Sequence, residues 1–61
     1  MLSNEQEWKL KIELLKRRMT YEDVGRKFGT NKQMVSLAML EKRNSDLAYK
    51  IREFMYGLIA D

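Results

Sequence analysis

The chain has 61 residues and among them no cysteine, no histidine and no proline. Without cysteine there is no disulfide and no thiolate metal site. Without histidine the commonest general base and the commonest metal ligand are both missing. Catalysis would fall to carboxylates, lysine or tyrosine. The adjacent acids Glu22 and Asp23 would point about 100° apart on a helix, which suits first-turn acids matched to a helix dipole better than an acid–base pair. The sequence therefore reads as a non-enzyme, with no cofactor, no metal and no evident small-molecule ligand. No apolar run approaches the roughly 20 residues that cross a bilayer, and no signal-peptide pattern is present. The expectation is a cytoplasmic protein with no membrane partner.

What is present is small and basic. The length sets one domain over residues 1–61, and no repeat, low-complexity tract or linker divides it. A domain of this size buries only about 60% of its unfolded surface, so a homodimer is expected as added stabilisation. The net charge is +3, but it is unevenly spread. Residues 1–15 carry a net −1, residues 16–52 a net +6, and residues 53–61 a net −2. Such a basic middle fits a phosphate-facing surface, and it fits equally a solvated charged face.

Periodicity and capping residues predict four helices and an all-α fold. Helix 1 is expected over about residues 4–18, with Ser3 or Asn4 as cap and Gln6 completing a capping box with Ser3. Trp8, Ile12, Leu15 and Met19 recur at helical spacing as one apolar stripe, which Leu10 and Leu14 widen. The lone Trp8 reads as a core residue rather than a membrane anchor. Lys16, Arg17 and Arg18 suit the negative end of the dipole, with phosphate contact the alternative. Helix 4 starts at a Ser45 cap, and Leu47, Ile51, Phe54, Met55, Leu58 and Ile59 make a broad apolar face. That face either closes the core or leaves Phe54, Tyr56 and Leu58 for a dimer interface. Gly57 is expected to fray its end.

The most informative segment runs from Met19 to Leu40, MTYEDVGRKFGTNKQMVSLAML. Thr20 can cap a helix over about 21–28, with Asp23 as its capping-box partner. Val24 and Phe28 point to the core. Gly25 in mid-helix costs up to about 1 kcal/mol against alanine, so a close backbone approach is expected there, from helix 3 crossing above it. Gly29 stands where a left-handed residue ends the helix. Asn31 then caps a third helix over about 32–41, with Val35, Ala38 and Met39 inward, Met34 at the edge, and Gln33, Ser36, Leu37 and Leu40 on the other face. Helix, short glycine turn, helix is the helix-turn-helix pattern, whose second helix enters the major groove in DNA-binding proteins.

Thr20 to Gln33 resembles the helix-turn-helix of the lambda-repressor-like Cro/C1 (Xre) regulators, many of them phage-encoded. Gly25 sits where that family prefers a small residue, usually alanine. Val24, Phe28, Val35 and Ala38 match its core positions and Gly29 its turn glycine. The flanking helices extend the resemblance over most of the chain. Thr30, in place of an aliphatic turn residue, Met39, in place of a frequent glutamate, and the missing fifth helix depart from the pattern. The resemblance implies a compact four-helix domain and a transcriptional regulator of phage or mobile-element type. Lys32, Gln33, Ser36 and Leu37 would read bases. Thr20, Tyr21, Arg26, Lys27, Asn31, Lys42 and Arg43 would touch phosphates. The partner would be duplex DNA, bound by a homodimer on two half-sites.

The same residues support a second expectation. Gln33, Leu37 and Leu40, with Met34, form an apolar strip at i, i+4, i+7 spacing, as helix-in-groove recognition of another regulatory protein requires. An antirepressor or modulator would use that strip. Leu40 is the more open to burial, under the start of helix 4, and Leu37 the more expected to be exposed.

Overall fold

Ser3, the first residue of the segment 3–60 that the computed structural model describes, caps the first helix by accepting from the Gln6 N–H at 3.2 Å, while the Gln6 side chain accepts from the Ser3 N–H at 3.1 Å. This capping box starts α1, Asn4–Lys16. Three more helices follow, α2 Tyr21–Lys27, α3 Lys32–Met39 and α4 Asp46–Ile59. Each opens on the predicted cap, Thr20, Asn31 and Ser45, whose side chains accept from the N–H groups of Asp23, Met34 and Ala48. Local side-chain oxygens thus fix where helices begin, because first-turn amides have no partner inside the helix. The described residues contain helices and no strand. No helix among them is long and apolar enough to cross a membrane.

The first three helices end alike. Beyond the C-caps Arg17, Phe28 and Leu40 stand Arg18, Gly29 and Glu41, all with positive φ (54°, 72° and 59°). In each case two returning hydrogen bonds close a Schellman turn. They are Arg18 N–H to Leu15 and Met19 N–H to Leu14, then Gly29 to Arg26 and Thr30 to Gly25, then Glu41 to Ala38 and Lys42 to Leu37. Only the second turn carries the glycine that made it legible. α1 and α3 accordingly stop two residues before their expected ends.

α2 packs on α3, α3 on α4, and α4 on α1. The core holds Leu10, Leu14, Val24, Val35, Ala38, Met39, Ala48, Ile51 and Met55. The inward face expected for α3 is the one observed. α4 runs unbroken through Gly57 to Ile59 rather than fraying. Phe54, Tyr56 and Leu58 are half-buried against the core, and Phe54 meets Phe28 edge to face with centroids 5.6 Å apart.

α1 departs most from expectation. Trp8, Ile12 and Leu15 are 67%, 45% and 78% exposed, while Leu10 and Leu14 are buried. The helix carries two apolar faces, and the fold uses the narrower one. Periodicity gave the stripe but not which stripe the other helices cover.

Candidate nucleic-acid interface

Gly25 lets the start of α3 lie close against α2. A Cβ on it would lie 2.6–2.9 Å from the carbonyl carbon, oxygen and Cα of Asn31, the cap of α3. The close neighbour is therefore the entrance of α3 rather than a helix crossing above. Thr30 N–H bonds to the Gly25 carbonyl at 2.7 Å and pulls the turn onto α2. α3 is held as a short rod with its N-terminus at the turn.

That N-terminus differs from the others. The first turns of α1, α2 and α4 carry Glu5 and Glu7, Glu22 and Asp23, and Asp46, whereas that of α3 carries no acid and opens on Lys32. A lysine at the positive end of a helix dipole is electrostatically unfavourable for the isolated domain. The arrangement suits an external anion, which would meet free amides and an ammonium together.

Lys32 and Gln33 are exposed beside Asn31. Asn31 Oδ1 accepts from Met34 N–H at 2.9 Å, so its amide NH2 remains a donor for an outside oxygen. Ser36 is half-buried and lines a cleft between α1, Tyr21 and α3, with Leu10, Met39 and Leu40. Leu37 is half-buried yet does not belong to the core cluster or its packed neighbours. Leu40 is 43% exposed, so α4 does not bury it. Met34 packs half-buried against the core. Lys42 and Arg43 are exposed beyond the far end of α3, a helix about 12 Å long at 1.5 Å per residue.

Three of the four remaining phosphate candidates have internal partners. The Thr20 hydroxyl accepts from Asp23 N–H at 3.2 Å and donates to Asp23 Oδ2 at 3.1 Å. The Thr20 backbone N–H also donates to that carboxylate at 2.9 Å. These bonds hold the Asp23 carboxyl below its ordinary pKa, the backbone one most of all. Arg26 Nη2 lies 3.5 Å from Glu22 and 3.9 Å from Asp23, and Lys27 Nζ sits 5.2 Å from the Phe54 ring centroid. Tyr21 is half-buried, and its hydroxyl pKa is raised, first by burial and then by Glu7. Of the three cations ending α1, Lys16 and Arg17 both pair with Glu13, so an ion pair on the helix surface accounts for two of them.

Arg52 is the residue that sequence reasoning missed. It is 6% exposed, donates to the carbonyls of Ala38 at 3.1 Å and Arg43 at 3.4 Å, and lies 4.6 Å from the Tyr49 ring. It ties α4 to the last turn of α3 and to the segment carrying Lys42 and Arg43. Its position among Leu47, Ile51 and Met55 was the available signal, since a cation on a helix face dense in apolar residues has few ways to stay in water. No family model, curated protein or solved structure matches this chain.

Proposed function

We propose that this chain is a small helix-turn-helix transcriptional regulator. It binds duplex DNA through the major groove by α3, as a homodimer in the cytoplasm, with no enzymatic activity of its own. The observation that carries this reading is the N-terminus of α3, where free amides, Lys32 and Asn31 converge with no acid in the first turn. A backbone phosphate relieves the local repulsion, and Lys42 and Arg43 grip the next stretch of backbone. Lys32 would donate to guanine O6 and N7, Gln33 would pair with adenine N6 and N7, and Leu37 would touch a thymine methyl. Ser36 would touch bases from its half-buried place at the cleft. Origin in a phage or mobile element rests on the Cro/C1 resemblance alone.

The test is selection from a random duplex library by the purified protein at low and moderate salt. Enrichment of a short palindromic motif that survives added salt supports the reading. Weak binding that collapses with salt and enriches nothing overturns it.

The exposure of Leu40 beside Leu37 favours one second reading, an antirepressor that binds another regulatory protein through α3. There Leu37→Asp would abolish partner capture, because it places an unpaired charge in an apolar interface. Lys32→Ala with Gln33→Ala would spare it.

A further inference from the structure

The outer face of α1 is a feature that the DNA reading leaves unused. At about 100° per residue, Trp8, Ile12 and Leu15 centre roughly 150° around the helix from Leu10 and Leu14, so they turn away from the core and from α3. Three large apolar side chains, each 45–78% exposed at i, i+4 and i+7, make the a/d seam of a helix-pairing surface. The seam widens at Ile12 into a groove of about 320 Å³ toward Leu58, Ile59 and Ala60 at the end of α4.

The charges beside the seam select the occupant. In the heptad that places Trp8 and Leu15 at d and Ile12 at a, the e and g positions within α1 are Lys9, Lys11 and Lys16, with Asn4 at the outer end. Lys11 Nζ lies 5.9 Å from the Trp8 ring centroid. Glu13 is turned to Arg17 and Lys16, and Glu5 takes the a position one turn before Trp8, at the outer end of the seam. A second copy of the chain would set Lys11 against Lys11 and Lys9 against Lys16 in antiparallel pairing, or Lys11 against Lys16 in parallel pairing. Like charges meet in both. An anionic membrane gains less, because the three lysines of α1 are accompanied by three glutamates that the same surface would repel.

We propose that this face docks an amphipathic helix of another protein, one whose apolar seam is flanked by acidic side chains. Glutamates at its e and g positions meet Lys9, Lys11 and Lys16, while leucines cover Trp8, Ile12 and Leu15. The site is separate from α3 and does not rest on the DNA reading.

Trp8 is the only tryptophan and reports occupancy directly. Its fluorescence is titrated with two synthetic helical peptides that share a leucine seam, one flanked by glutamate and one by lysine. The acid-flanked peptide is expected to shift Trp8 emission to the blue and to bind at least about tenfold tighter, since attraction replaces repulsion at Lys9 and Lys11 and, in exchange with its Glu13 pair, at Lys16. Leu15→Asp, at a site 78% exposed, should leave the circular dichroism spectrum unchanged and abolish the shift. Lys9→Glu, Lys11→Glu and Lys16→Glu together should invert the peptide preference. Equal binding of both peptides, or of neither, overturns the proposal. So does self-association through this face in sedimentation that Leu15→Asp reverses, or a Trp8 shift produced only by anionic vesicles.

Discussion

The guanidinium of Arg52 donates to the carbonyl of Ala38, one of the last carbonyls of α3, from a side chain that is 6% exposed. The bond joins α4 to the far end of α3, just as Gly25 joins α2 to its near end. Replacing Arg52 by methionine keeps an apolar stem but removes the bonds to the Ala38 and Arg43 carbonyls; the Ala38 carbonyl still accepts from Glu41 N–H, so the cost is about 0.5–1.5 kcal/mol. Thermal denaturation should show that loss. Amide exchange should speed at Glu41 and Lys42, whose N–H groups bond to Ala38 and Leu37.

Gly25→Ala tests the opposite end. The three atoms nearest a new methyl all belong to the Asn31 backbone, and backbone cannot rotate aside as a side chain can. The helix-propensity gain of up to about 1 kcal/mol is therefore outweighed by strain, with a net destabilisation of about 1–3 kcal/mol. Urea denaturation of the two proteins gives the difference. Equal or greater stability of the alanine variant would show that α3 enters with more room.

Arg18 holds a left-handed conformation, φ 54°, without being glycine. Such a conformation costs an L-residue roughly 1–2 kcal/mol. Glycine removes that strain but adds unfolded-state entropy. Arg18→Gly should raise stability by about 0.5–1 kcal/mol, read as a higher urea midpoint at unchanged slope.

The capping box of α2 makes stability depend on acid. Thr20 holds the Asp23 carboxyl below its ordinary range, and Arg17 does the same to Glu13. A carboxyl whose folded pKa is depressed contributes stability above its unfolded value, about 3.9 for aspartate. That contribution is lost as pH falls through the lower folded value. The melting temperature should fall between about pH 5 and about pH 2, and Asp23→Asn should flatten that fall. An unchanged profile would remove the box from the stability of α2.

On the DNA reading, the two ends of α3 should respond differently. Lys42→Ala should weaken binding to all duplexes alike and reduce the salt dependence by about 0.9 of a unit of log–log slope. Lys32→Ala with Gln33→Ala should instead erase preference for the selected motif, about 1–3 kcal/mol for each bidentate pair lost. Competition binding at fixed salt separates the two.

Much of the fold was legible because its signals are local. Ser3, Thr20, Asn31 and Ser45 act on amides three residues away, and Gly29 ends α2 through its own φ, so a linear sequence carries both kinds of instruction. The inward face of α3 was equally legible, since Val35, Ala38 and Met39 share one side of the helix. Within the candidate site, Lys32 and Gln33 are exposed as expected, while Ser36 faces a cleft and Thr20, Arg26 and Lys27 are engaged within the fold.

The sequence by itself determined four capped helices, their order and the placement of basic residues around α3. Tertiary structure decided which face of α1 is covered, that Leu40 stays exposed, and that Arg52 is buried between α3 and α4. The physical reason is that α1 has two apolar stripes of comparable strength, and only the shape of the surface built by α2, α3 and α4 selects between them. The burial of a cation likewise depends on carbonyls that lie 14 and 9 residues away in the chain, a distance over which no periodicity speaks.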